Sequence, residues 1–167
     1  MINGKRHYDV GTEEKLPSVT TILQATQSEE KKQKLEDWKK RMGEQRADRI
    51  RDISAMRGTS MHTYLEGYIK DERHLDLTAL GQEAGRMADV VIRSGLGDLE
   101  EVWGTEVTLY YPGLYAGATD VVGIYNGRES IIDFKQTNKP KQREWIDDYF
   151  TQLAAYAMAH NLSLIHI

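Results

Sequence analysis

The chain has 167 residues, 40% of them hydrophobic and 29% charged, with a formal net charge of −4 and no cysteine. That composition suits a soluble globular protein and one domain able to bury a core. The missing thiols exclude disulfides, thiolate zinc sites, cysteine-ligated iron–sulfur clusters and a cysteine nucleophile.

No stretch nears the ~18 apolar residues of a membrane span, and the polar start at residues 1–6 has no apolar run behind it. Neither a membrane segment nor a signal peptide is therefore expected, and the cytoplasm is the default compartment. The acidic total conceals a basic segment. Over residues 29–51, nine Lys/Arg face six Asp/Glu, which leaves −7 for the remainder of the chain. A local basic element on an acidic body is compatible with a polyanionic partner. Part of the acidity would be metal ligands, whose charge a bound cation offsets.

Residues 1–15 are polar and punctuated by Gly4 and Gly11, with a short edge strand expected around His7-Tyr8-Asp9-Val10. Ser18 is the expected N-cap of a helix whose Val19, Ile22 and Leu23 fall at i, i+3, i+4. The spacing predicts one long charged helix over 29–53, with a sparse apolar stripe of Leu35, Trp38, Met42 and Ile50. Read plainly it is a solvated face laced with ion pairs, and Trp38 a core residue. Read functionally it is a clamp whose Lys39, Lys40, Arg41, Arg46 and Arg49 touch a phosphate backbone.

A further helix is expected to open at 57–60, capped by Thr59 or Ser60, with a stripe of Met61, Tyr64, Leu65, Tyr68 and Ile69. His62 and Glu66 share one of its faces at i, i+4. A helix over 77–94 follows, ended by a left-handed glycine in Ser94-Gly95-Leu96-Gly97. The first strand of the main sheet is expected over 98–110 and carries Glu106, either a metal-site carboxylate or a solvent-facing one. Tyr111-Pro112-Gly113 turns the chain into the next strand.

Residues 117–135 carry the strongest chemical signal. Val121, Val122, Ile124 and Tyr125, then Ile131, Ile132 and Phe134, favour strands, and Asn126-Gly127 is a tight hairpin turn. Period-two alternation puts Asp133 and Lys135 on one face, with Asp120 beside them across the hairpin. Two carboxylates and a lysine at strand ends suit metal-assisted phosphodiester hydrolysis. Carboxylate oxygens hold Mg²⁺, which acidifies water and screens phosphate, while Lys135 orients the water or neutralises the transition state. The plain alternative is a surface Asp–Lys pair. After a polar linker broken by Pro140, a helix over 142–161 aligns Trp145, Tyr149, Gln152 and Tyr156 on one face. A glutamine there needs a hydrogen-bond partner.

The order His62, Glu106, Asp120, Asp133-Phe134-Lys135, Gln152-x-x-x-Tyr156 resembles the RecB-like branch of the PD-(D/E)XK nucleases. The likeness is greatest to phage exonucleases and the mitochondrial genome maintenance exonuclease group. Pro17-Ser18-Val19-Thr20, Arg57-Gly58-Thr59 and Tyr115-Ala116-Gly117-Ala118-Thr119-Asp120 resemble blocks of that group. The resemblance covers residues 16–161. It implies an α/β restriction-endonuclease-like core, a central mixed sheet flanked by helices, behind a mainly helical part over 1–97.

By resemblance, Mg²⁺ or Mn²⁺ is held by Asp120, Asp133, His62 and the Phe134 carbonyl, with Glu66 and Glu106 as further carry-overs. Lys135 is the catalytic lysine. Gln152 and Tyr156 steady it and the DNA strand, and Arg57 joins the DNA contacts. The implied activity is exonucleolytic cleavage of DNA, single-stranded at its end. Phage recombination, replication or repair proteins would be partners in a host cytoplasm.

Gln136 stands where many relatives carry threonine, and the cysteines of cluster-bearing relatives are absent. Residues 162–167 read as the translation of a transposase adapter, so residue 161 is the expected end of native sequence. The rival readings are a catalytically silent DNA-end-binding protein, a structure-specific endonuclease, and an α/β domain with an incidental charge cluster.

Overall fold

The computed structural model describes residues 1–2, 4–11 and 15–165. Among them are five α-helices, one short 3₁₀ turn and two small antiparallel sheets, so the mixed α and β expectation holds. The chain falls into two compact units. One comprises Met1–Thr26, Glu100–Asp133 and Thr137–Ile167, and the other Gln27–Leu99 with Phe134–Gln136.

The first unit is built on the sheet. β1 (His7–Tyr8) pairs antiparallel with β2 (Leu16–Pro17). Ser18 then caps α1 (Val19–Ala25), its Oγ accepting from the Thr21 amide at 3.0 Å, and bridges Ala116 in the parallel sense. The three-stranded sheet runs β3 (Leu99–Tyr111), β4 (Tyr115–Tyr125), β5 (Arg128–Ile132), in that spatial order. Both turns follow sequence chemistry. Pro112 precedes Gly113 at φ 74°, and the Leu114 amide closes on the Tyr111 carbonyl at 3.1 Å. Asn126 and Gly127 take φ 49° and 70°, the pair of positive values a type I′ hairpin demands.

Central β4 is buried along most of its length, and Gly123 is glycine for space: a Cβ there would lie 2.0 Å from the Glu101 carbonyl oxygen. α5 (Asp147–Ile165) covers this sheet, and Val19, Leu109, Tyr156 and Ala159 form the core between helices and strands. The expected start of this helix at 142 is instead a 3₁₀ turn, Arg143–Trp145. It leaves Trp145 outside the helix and exposed, off the face shared by Gln152 and Tyr156. α5 continues through 162–165, while His166 and Ile167 of the suspected tail lie outside the described residues.

The second unit is helical, and here the sequence reading is corrected. The long helix over 29–53 is broken. α2 (Glu29–Met42) ends at Gly43, whose φ 80° and ψ 138° suit glycine alone, and α3 (Glu44–Ile69) starts at once. α3 then runs straight through 57–60, where a new start was expected. Thr59 caps nothing: its hydroxyl donates back to the Ala55 carbonyl inside the helix. Ser60 Oγ is buried without a hydrogen-bond partner among the described residues. α2 buries no residue, so Trp38 is half-buried rather than core and Leu35 is half exposed.

α4 (Ala79–Gly95) is capped by Thr78 and presents Gly81, Ala84, Gly85 and Ala88, small residues at i, i+3, i+4, i+7. They let α3 approach closely, so that Met61 and Leu65 are fully buried and the Tyr64 ring lies over Gly85. Gly95 and Gly97 do not take left-handed conformations; Leu96 closes the helix at φ −94° and its amide bonds back to Ile92 and Val91.

The two kinds of glycine separate experimentally. Gly123→Ala meets backbone and is expected to lose about 1–3 kcal/mol or more. Gly127→Ala meets open space and is expected to lose about 1 kcal/mol from its positive φ alone. Urea denaturation of the two variants, read side by side, checks the order.

Candidate metal and nucleic-acid site

In the sheet unit, the hairpin register pairs Val121 with Ile132. The ladder ends at that pair, so Asp120 precedes its last β4 residue and Asp133 follows its last β5 residue. Thr119, fully buried on β4, donates its hydroxyl to the Ile132 carbonyl at 2.9 Å and holds the strand end at that point. β5 itself stops at Ile132, so Asp133, Phe134 and Lys135 leave the sheet rather than extend it. The alternation survives locally: Asp133 is half-buried, Phe134 buried and Lys135 exposed. Glu106 and Asp120 offer carboxylate oxygens within 4.8 Å of each other. Glu106 is exposed and takes φ 50°, a left-handed conformation uncommon for a glutamate inside a strand. Nothing in the sequence pattern signals that departure.

Gln152 and Tyr156 are the buried polar pair of α5, at 5% and 3% exposure. The Gln152 Nε2 donates to the Tyr156 hydroxyl at 2.8 Å, which supplies the partner that the glutamine required. The tyrosine ring lies against β4 at Gly117, where a Cβ would sit 2.4 Å from a ring carbon. Gly117 is thus a seat for Tyr156, a role invisible in the sequence because the two residues are far apart along it. Burial pushes the Tyr156 phenol up to about 12, and the nearby Asp133 charge adds to the rise while the Gln152 hydrogen bond opposes it.

In the helical unit, His62 is half-buried on α3 and its Nε2 donates to the Phe134 carbonyl at 3.0 Å. The rings of His62 and Phe134 meet edge to face, with centroids 6.3 Å apart. Glu66, one turn on, is engaged by Lys70 at 2.5 Å. Arg57 is not a surface cation: its guanidinium is buried, bonded to Glu83 at 2.6 Å and to the Gln136 Oε1 at 3.0 and 3.2 Å. Lys39, Lys40, Arg41, Arg46 and Arg49 are all exposed.

The donor sets in both units suit a hard divalent cation. Asp120, Asp133 and Glu106 offer carboxylate oxygens. The His62 Nε2, which donates to the Phe134 carbonyl at 3.0 Å, would have to give up that proton and that bond to act as a ligand.

No family model matches the chain. Three curated proteins resemble it, each named mitochondrial genome maintenance exonuclease 1. The Xenopus tropicalis protein is 32% identical over 165 residues, covering 94% of this chain and 46% of that protein. The Homo sapiens protein is 31% identical over 157 residues, covering 87% and 44%. The Mus musculus protein is 30% identical over 131 residues, covering 75% and 38%. The similarity supports an exonuclease family. The chain spans less than half the length of these relatives. Among the described residues no helix is long and apolar enough to cross a membrane.

The tyrosine carries a pH signature. Its pKa is raised on folding, so the native state holds the proton where the unfolded chain releases it. Its contribution to stability is complete below pH 10 and is lost as pH rises toward about 12. Tyr156→Phe is expected to be less stable near neutrality, by about 1–3 kcal/mol, because it leaves the buried Gln152 amide unpaired. Its stability should then fall less than that of the wild type between pH 10 and 12. Urea denaturation at stepped pH reads both effects.

Proposed function

We propose that this chain is a metal-dependent DNA exonuclease module that hydrolyses phosphodiester bonds from a DNA end. The observation that carries the reading is the juxtaposition at the hairpin end. Asp120 and Asp133 both adjoin the last paired residues of the hairpin, Val121 and Ile132, and a lysine follows two residues after Asp133, in a chain similar to proteins named as exonucleases.

Within the sheet unit, Asp120 and Asp133 would hold Mg²⁺ or Mn²⁺, with Glu106 as a further carboxylate. When bound, such an ion lowers the pKa of water and shields phosphate charge. Lys135, exposed to solvent, neutralises charge that develops on the phosphate oxygens. Gln152 and Tyr156 act from beneath β4, keeping the strand that carries Asp120 in place.

The exposed cations of α2 and early α3 — Lys39, Lys40, Arg41, Arg46 and Arg49 — supply the phosphate-backbone contacts. α2 buries no residue, and its Lys39, Lys40 and Arg41 are exposed to solvent and to a polyanion. The proposed substrate is single-stranded DNA, and the proposed setting is phage recombination, replication or repair in a host cytoplasm.

End-labelled single-stranded DNA with Mg²⁺ or Mn²⁺ tests the reading directly. Wild type should shorten the strand and EDTA should stop it. Asp133→Ala and Lys135→Ala should each lose at least ~10²-fold in rate. Equal trace activity in all three proteins would reject the nuclease reading in favour of a silent end-binding protein. Cleavage of covalently closed single-stranded circles would replace exonuclease by endonuclease.

A second measurement addresses the basic helix. Replacing Lys39, Lys40 and Arg41 with Ala should raise KM and flatten its salt dependence, by about 0.7 in log–log slope for each phosphate that is no longer neutralised. An unchanged slope would assign those residues to a solvated face.

A further inference from the structure

The segment Phe134–Gln136 departs from the sheet and belongs to the helical unit, where three points of α3 engage it. His62 Nε2 donates to the Phe134 carbonyl at 3.0 Å. Earlier on α3, the buried Arg57 guanidinium donates through Nε and Nη2 to the Gln136 Oε1, at 3.2 and 3.0 Å. The other end of the same amide, Nε2, donates to the Ser54 carbonyl at 3.1 Å. Arg57 is itself aimed by Glu83 of α4, at 2.6 Å. Gly58 faces the Gln136 side chain, and a Cβ there would come within 3.6 Å of its Cγ.

Lys135 is therefore flanked on both sides. Phe134 before it is gripped through its carbonyl, Gln136 after it through both ends of its amide, and Lys135 between them is exposed. A planar guanidinium donating two hydrogen bonds to one amide oxygen fixes orientation as well as distance. The peptide units around Lys135 inherit that orientation from α3.

We propose that Arg57 and Gln136 are positioning residues, a clamp that sets the backbone on which Lys135 and the Phe134 carbonyl are presented, and that Arg57 is not a DNA contact. The clamp depends on the nuclease reading only for its consequence in catalysis; the restraint on the segment is independent of it. Loss of the clamp should loosen the lysine without altering the surface that meets DNA. The cost then falls on turnover rather than on substrate affinity.

The test uses the full chain with Gln136→Ala, which removes all three side-chain hydrogen bonds, and Gln136→Met, which keeps the length of the side chain without them. Both should lower kcat on single-stranded DNA by about tenfold while KM stays within about twofold of wild type. Hydrogen exchange by mass spectrometry, read on the same proteins, should be faster in peptides spanning 133–137 and unchanged in α4.

A rise in KM with kcat unchanged would overturn the proposal by making the pair a DNA contact. Unchanged exchange over 133–137 would overturn it whether or not the protein degrades DNA. If wild type is inactive, the nuclease reading fails, and the exchange comparison alone decides the clamp.

Discussion

Two positive-φ residues, Asn126 and Gly127, govern what the sheet can present. A two-residue type I′ turn permits one register, and that register ends at the Val121–Ile132 pair, beside Asp120 and Asp133. A slip of one position would turn Asp120 to the other face of the sheet. Thr119 reinforces the choice from the buried side through its bond to the Ile132 carbonyl. Tyr156 holds β4 from below because position 117 has no side chain to exclude its ring.

The carboxylates and the lysine are positioned by different means. Asp120 belongs to a buried central strand whose neighbours on either side fix it by backbone pairing. Lys135 lies beyond the last paired residue, where no ladder restrains it, and side chains of α3 take over that task. Rigid elements place functional groups more accurately than loops do. The chain meets this requirement by tying a short irregular segment to a 26-residue helix at Ser54, Arg57 and His62. Burial of Arg57 is supportable because Glu83 and Gln136 occupy its donors.

Charge is divided in a comparable way. Glu106 and Asp120 bring carboxylates together from neighbouring strands of the sheet unit. In the helical unit, Lys39, Lys40 and Arg41 of α2 and Arg46 and Arg49 of early α3 are exposed, where long cationic side chains stay hydrated.

Local chemistry was legible from the residues themselves. The Ser18 cap, the Pro112-Gly113 and Asn126-Gly127 turns, the strands they join, and the candidacy of Asp120, Asp133 and Lys135 follow from propensity, φ requirements and period, whereas that of His62 comes from the family resemblance. These are short-range effects, and the sequence determines them by itself. What it misjudged was continuity: Gly43 breaks a helix that charge pattern alone would extend, while Gly58-Thr59-Ser60, which look like a boundary, sit inside one. Packing of Met61 and Leu65 against the small residues of α4 outweighs the poor helix propensity there. Tertiary structure alone decided that Gly117 seats Tyr156, that Gln152 finds its partner in that tyrosine, and that Arg57 turns inward to Gln136. Each of these joins side chains that only the folded chain brings together, and pairings of that kind leave no periodic mark in the sequence.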